Sequence, residues 1–145
     1  MLSGTCKYAL RAVIYLAVND RQGDNKIGIK KISRDLEIPT PFLSKILQTL
    51  ARHKILTSIK GPNGGFGIGR PVNEIYLMDI VEIIDGLDFF NRCVIGVKNC
   101  SELDTPCIFH SRYSKFREEL KKSFESETIA DLIVDIEKGK QKINI

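Results

Sequence analysis

Residues Lys30 to Arg70 read KKISRDLEIPTPFLSKILQTLARHKILTSIKGPNGGFGIGR. The pattern is two short helices followed by a glycine-tipped, two-stranded wing. Thr40 can cap a helix N-terminus and Pro41 suits its first position, where no amide hydrogen is needed. From there Leu43, Ile46, Leu47 and Leu50 fall at i, i+3, i+4 and i+7 on one apolar face, while Ser44, Lys45, Gln48, Thr49 and Arg52 share the other. Ile55 to Lys60 is β-branched and partly alternating, Gly61-Pro62-Asn63-Gly64-Gly65 must turn, and Phe66 to Arg70 returns. A hairpin directly after the helix is predicted.

Periodicity alone favours a merely solvated amphipathic helix; the hairpin behind it shifts the reading to nucleic acid. The polar helix face fits a DNA major groove, where Ser, Lys and Gln hydrogen-bond base edges or phosphates. The small residues of the hairpin tip let the backbone approach phosphates or a narrow groove, with Lys60 and Arg70 at its base. The candidate DNA contacts are Thr40, Ser44, Lys45, Gln48, Lys60, Gly61, Pro62, Asn63 and Gly64. A nucleotide-binding loop fails on context, because no Lys-Ser/Thr pair follows the glycines and strand, not helix, comes next.

The net charge of +4 conceals an asymmetry: residues 1–72 carry 12 Lys/Arg against 4 Asp/Glu, and residues 73–145 carry 10 against 14. The polyanion-binding half is therefore the front half. With 43% hydrophobic and 28% charged residues over 145 positions, the composition is that of an ordinary globule with one domain and an extra element.

The remaining chain is read as helices around that module. Tyr8 to Val18 is apolar except for Arg11 and too short to cross a bilayer, so a buried first helix is expected from about Ser3 to Asn19. A polar connector, Asp20 to Lys26, leads to a second helix over 29–37, with Ile29, Ile32 and Leu36 inward and Pro39 preventing continuation. Leu77, Ile80, Val81 and Ile84 predict a further helix, closed by Gly86 and expected to back the wing. Leu87 to Cys107 shows no clean period and is expected to be a long loop, of a length that is usually functional or disordered, and its cysteine spacing favours function. Phe109, Tyr113, Phe116, Leu120 and Phe124 then mark a long helix, and Ile129, Leu132, Ile133 and Ile136 a last one before the polar tail.

The long loop holds three of the four cysteines. Cys93, Cys100 and Cys107 are separated by six residues each, and His110 stands at the third position after the last. Three thiolates and one imidazole make a complete four-ligand set. Structural zinc sites favour tight C-x2-C knuckles that this loop lacks, whereas iron–sulfur clusters accept more varied spacings. Thiol redox chemistry is the other use of such residues in a reducing compartment, and the absence of an export signal makes the cytoplasm the expected location. Cys6 stands alone and reads as a small packing residue.

The wing sequence Lys60-Gly61-Pro62-Asn63-Gly64-Gly65-Phe66, the helix pair before it and Tyr8-Ala9-Leu10 resemble the Rrf2 family of bacterial winged-helix transcription regulators over nearly the whole chain. The resemblance implies a mainly α fold with a small β-hairpin, divided into a winged helix-turn-helix DNA-binding domain (1–86), a cysteine-containing sensor loop (87–110) and dimerisation helices (111–145). It implies a homodimer on double-stranded DNA with a pseudo-palindromic operator, and no membrane. It further implies a [2Fe-2S] cluster on Cys93, Cys100, Cys107 and His110, as in the iron–sulfur members of IscR type, although the intercysteine gaps here are one residue longer. Lys7 stands where the nitric-oxide-sensing branch offers an aspartate, which argues against that branch. A cluster-free regulator answering to thiol redox state or to a partner protein is the alternative. A small iron–sulfur electron carrier is the alternative of another class, and it leaves the wing unexplained. An enzyme is not expected, since His53 and His110 are the only histidines and neither shows an acid–nucleophile constellation.

Overall fold

Ser3 opens the first helix, α1 (Gly4–Asn19), by accepting the Cys6 amide on its side-chain oxygen at 3.0 Å. The computed structural model describes residues 2–20, 26–96 and 107–139. Most of the expected connector, the middle of the expected long loop with Cys100, and most of the polar tail lie outside these residues. α1 is the central post: Ala9, Ala12, Val13 and Leu16 are all at most 1% exposed, and the two alanines let neighbouring helices approach closely. Against it lie α2 (Ile29–Leu36) and α3 (Thr40–Arg52).

The turn between α2 and α3 is short because Glu37 takes a left-handed conformation, φ 55°, and sends its amide back to the end of α2. One detail of the expected cap is corrected. Pro39, not Thr40, is the capping residue, and Thr40 lies within the first turn, where its hydroxyl donates to Ser33 Oγ at 2.8 Å. Ser33 Oγ in turn donates to the Ile38 carbonyl at 2.6 Å. The side chain that propensity assigns to capping is used to tie the two helices together.

The wing consists of β1 (Leu56–Ile59) and β2 (Gly65–Ile68), antiparallel with Leu56 opposite Ile68 and Ile59 opposite Gly65. Its other edge is joined by Ile27, which exchanges both backbone hydrogen bonds with Phe66 at 2.9 Å. Two glycines are required by these approaches: a Cβ at Gly64 would run into the Ile59 carbonyl, and one at Gly65 into that of Ile27.

α4 (Leu77–Ile84) does not sit behind the wing, the place its apolar period predicts. It packs chiefly on α1 and on α5 (His110–Ser126), while α1 and α3 support the two strands. Its link to the wing base is ionic, Arg70 Nη2 to Asp79 Oδ2 at 2.6 Å. Nor does the loop begin unstructured: Leu87–Phe90 is a 3-10 turn, and Phe90, 3% exposed, plugs a second apolar cluster with Cys6, Met78 and Val81. Leu120 and Phe124 of α5 pack onto this cluster, the Phe90 and Phe124 rings meeting edge-on at 6.1 Å.

α6 (Ile129–Glu137) returns to the main core. Thr128 and Asp131 form a reciprocal cap, and the Thr128 strand-like bridge to Tyr76 fixes where the helix starts. Ile129 is fully buried, with Leu132, Ile133 and Ile136 against the α1 core. Of the two apolar stripes in the C-terminal third, this one is intrachain core. Among the described residues no helix is long and apolar enough to cross a membrane.

Candidate nucleic-acid interface and cysteine pair

The inward face of α3 is closed: Leu43, Ile46, Leu47 and Leu50 are at most 3% exposed. Burial of that face fixes the helix's rotation about its axis and so turns Lys45 and Gln48 outward. A groove of ≈ 530 Å³ lies between this face and the wing. Ser44 and Gln48 line it from α3, Lys60, Gly61, Pro62 and Gly64 from the wing, and Lys30 from the first turn of α2. The structure thus brings six of the nine sequence-derived DNA candidates to one groove. Lys45 and Asn63 are exposed but do not line it. Thr40 is half-buried, with its hydroxyl on Ser33.

Gln48 Nε2 donates to Ser44 Oγ at 3.2 Å, a weak pair that holds both side chains at the surface. Thr49 and Arg52 are turned to their own helix, Thr49 Oγ1 on the Lys45 carbonyl at 2.9 Å and Arg52 Nη2 on Thr49 Oγ1 at 3.1 Å. Among the described residues Lys30, Lys45 and Lys60 take part in no ion pair. Two uncompensated cations lining the groove, Lys30 and Lys60, and a third exposed on the same helix as Ser44 and Gln48, Lys45, suit a polyanion. Lys30 is not singled out by sequence pattern, because the apolar period of α2 marks only its packing face. The signal available in the sequence was its place immediately after Gly28 and Ile29, at the start of α2.

The second candidate site lies at the root and end of the long loop after α4. Cys93 Sγ and Cys107 Sγ are 3.4 Å apart, although fourteen positions separate them, and the Gly96 amide donates to Cys93 Sγ at 3.2 Å. A tetrahedral metal with ~2.3 Å bonds to sulfur sets neighbouring thiolates about 3.8 Å apart, so this pair sits near a shared-metal spacing. His110 is the first residue of α5, and its amide donates to the Cys107 carbonyl at 2.9 Å, placing the last cysteine and the histidine in one turn. Among the described residues no three His, Cys, Asp or Glu side chains are grouped to hold a metal. The His110 ring therefore does not join the cysteine pair in this conformation, and Cys100 lies outside the described residues.

Cys6 is a different kind of thiol. It is fully buried, and burial, with Asp85 nearby as the smaller cause, pushes its pKa up to about 12. Asp85 itself accepts from the Ser3 amide at 2.8 Å and from the Ser3 hydroxyl. A thiol so held is an inert packing group.

Residues 2–135 match the Rrf2 family, described as an iron-dependent transcriptional regulator. The chain belongs to that family. It is a DNA-binding transcriptional regulator and not an enzyme. A candidate HTH-type transcriptional regulator of Aquifex aeolicus is 34% identical over 134 residues, covering 92% of this chain and 91% of that protein. The regulator IscR of Cereibacter sphaeroides is 27% identical over 84 residues, 58% of this chain and 54% of that one. Among solved structures, CymR, the global cysteine regulator of B. subtilis, superposes with a TM-score of 0.73 at 21% identity, over 92% of this chain and 96% of that one. IscR of T. potens gives 0.73 at 19% identity, over 99% and 93%. At those identities the structural likeness bears on the fold alone, and it includes the winged helix.

Proposed function

We propose that the chain acts in the cytoplasm as a homodimer on pseudo-palindromic DNA, and that a [2Fe-2S] cluster on Cys93, Cys100, Cys107 and His110 sets its operator affinity. In this reading Ser44, Lys45 and Gln48 of α3 meet base edges in the major groove, and Lys60 to Gly64 of the wing meet the backbone. Thr40 steadies the start of the reading helix. Two such heads related by a two-fold axis imply half-site centres about one helical turn, ~34 Å, apart. Residues 87–110 form the sensor loop, and α5, which follows directly, supplies the face that pairs the subunits.

The observation that carries the cluster reading is the approach of Cys93 and Cys107 to 3.4 Å, with an amide hydrogen aimed at one of the sulfurs. Soft thiolates brought together from the two ends of a loop suit iron or zinc, and amide donation to sulfur is the kind of contact that tunes an iron–sulfur site. The family's description as iron-dependent favours iron. Bound there, the cluster would supply a redox-sensitive link between the root of the loop and the start of α5. Loss of that link changes how loop and helix sit; whether the heads respond is a two-state question that operator affinity answers.

The test is iron, acid-labile sulfide and visible absorption of protein prepared without oxygen, for the wild type and five variants. Cys93→Ala, Cys100→Ala and Cys107→Ala should each abolish the cluster, His110→Ala should leave a labile or altered one, and Cys6→Ala should keep it. Colourless wild type, or loss of iron in Cys6→Ala alone, would sink the assignment.

The same distance favours one second reading, a cluster-free thiol switch. Two thiols 3.4 Å apart need to close to about 2.05 Å to form a disulfide. With a peroxide as oxidant, the pair gives up two electrons and two protons and the peroxide leaves as water. Colourless protein with a Cys93–Cys107 disulfide in peptide mass maps, and DNA affinity that changes on reduction, would select it. Co-purification of a partner with colourless protein would instead point to control by that partner.

A further inference from the structure

We infer that Arg11, which lies in the interior of α1 and not at the groove, is the positioning residue that fixes the tilt of the reading helix, and through it sequence discrimination. Its guanidinium meets the first helix of the DNA-reading pair directly and the second through the ring of Tyr8. Arg11 Nη2 donates to the carbonyl of Leu36, the last residue of α2, at 3.0 Å. A cation on the terminal carbonyls of a helix is favoured by the helix dipole. The same guanidinium carbon stands 5.7 Å from the centroid of the Tyr8 ring, within range of a cation–π contact. Tyr8 then meets Phe42, in the first turn of α3, edge-on at 5.8 Å and 84°. One side chain of α1 thus touches the end of α2 directly and the beginning of α3 through a ring.

The energetics suit positioning more than bulk stability. Arg11 Nε is buried without a hydrogen-bond partner, so the guanidinium is desolvated without being fully satisfied. Packing holds α3 along its inner face and the Thr40–Ser33 hydrogen bond ties its first residue to α2, but Phe42 itself is 39% exposed, so on that outer side the Tyr8 ring is the brace against rocking. α3 has 13 residues, about 20 Å at 1.5 Å per residue. A tilt of about 10° at its start moves Gln48, eight residues on, by roughly 2 Å. That breaks a hydrogen bond to a base edge, whose tolerance is a few tenths of an ångström, and leaves long lysines able to follow a phosphate.

The inference rests on the reading that α3 contacts base edges. The probe is the duplex most enriched by the wild type from a random-sequence pool, measured beside a scrambled duplex of equal composition. Arg11→Met should lower the ratio of the two affinities about tenfold, as for loss of one base contact, with scrambled-duplex affinity and its salt dependence unchanged. Arg11→Lys, which keeps a cation over Tyr8, should recover most of the ratio. Tyr8→Leu removes the ring and leaves the Leu36 contact, so it tests the same linkage should Arg11→Met fail to fold. Unchanged ratios in these variants, or equal loss on both duplexes together with a lowered melting temperature, overturn the inference. A wild type that enriches no sequence overturns the base-reading interface itself, a different outcome from a wild type that discriminates and an Arg11→Met protein that discriminates as well.

Discussion

α3 and α5 have the same kind of apolar stripe in sequence and opposite fates in the structure. Every apolar member of the α3 stripe is at most 3% exposed, and its buried face is what orients the polar one. α5, with 17 residues, has no buried residue at all, and Phe116 in the middle of its stripe is 59% exposed. Phe109 and Tyr113 stack, and Tyr113 and Phe116 meet tilted at 40°, each pair with ring centroids 6.2 Å apart. Among the described residues it is the far end, Leu120 and Phe124, that packs on a buried apolar cluster. A helical period therefore identifies a helix and its apolar face, but not what covers that face. For α3 the cover is the chain itself, and for the first half of α5 we propose a second subunit.

The largest expected effect breaks the contrast at its buried side. Leu47→Ala should cost ~2–5 kcal/mol by loss of packing at a fully buried site, and it should do so at any protein concentration. Phe116→Ala should scarcely change the stability of a single chain, because so exposed a ring leaves no cavity behind. Denaturant titrations at two protein concentrations separate the cases. If Phe116→Ala destabilises as much as Leu47→Ala, independently of concentration, the outer face of α5 has an intrachain cover.

Next comes assembly. Phe116→Glu is a sharper probe than a charge at Leu120, since Leu120 also packs on the Cys6–Met78–Val81–Phe90 cluster and a charge there would strike the fold as well. The expected product is a folded monomer with weakened binding to a two-half-site duplex and little change on a single half-site. Light scattering decides it, and a wild type already monomeric at micromolar concentration removes the dimer and the palindromic operator together.

These two helices also show how far the sequence could be read. Among the described residues the six α-helices and the hairpin are legible as periods and turn signals, because each has an apolar face of its own and all but α5 have glycine or proline near an end. The misplacements arose where a side chain had two possible uses. Thr40 could cap a helix or bond across the turn to Ser33, and local propensity cannot see Ser33. The position of α4 depended on whether its apolar face met the wing or α1, a matter of tertiary packing. Phe90 looked like loop because a plug of one ring has no period. The candidate DNA groove is largely legible because its residues are near in sequence, with Lys30 the exception. Cys93 and Cys107 could be suspected as partners from residue type, but their approach depends on how the two ends of the loop are held.

A smaller effect sharpens the contrast within the DNA-reading head. Lys45→Ala and Gln48→Ala should each lower discrimination between the enriched duplex and scrambled DNA, at ~1–3 kcal/mol per base contact. Lys60→Ala should weaken binding more evenly on both and reduce the salt slope by about one. Titrations on the two duplexes at two salt concentrations give both quantities. Unchanged affinities for all three variants would take α3 and the wing out of the interface.

The smallest expected effect compares the head and α6 by acid. In the head, Asp35 accepts from Lys31 Nζ and from the Tyr15 hydroxyl, each at 2.6 Å, and these hydrogen bonds, Lys31 first, hold its carboxyl at about 2 against an ordinary 3.8. In α6, Asp131 is lowered by hydrogen bonds from the Thr128 hydroxyl and then the Thr128 amide. Both carboxyls are depressed in the folded chain, so between roughly pH 4 and 2 the unfolded chain binds more protons. The stability they contribute is present above the ordinary carboxylate pKa and drains as pH falls through the folded one. Both groups are at the surface, so the effect is modest, and it is read as a slope of denaturation midpoint against pH. Asp35→Asn should flatten that slope in part and Asp131→Asn in part. Because Ile129 anchors α6 in the main core, both should act on a single cooperative transition. Two separate transitions, with Asp131→Asn moving only one, would show that α6 unfolds apart from the core that Ile129 enters.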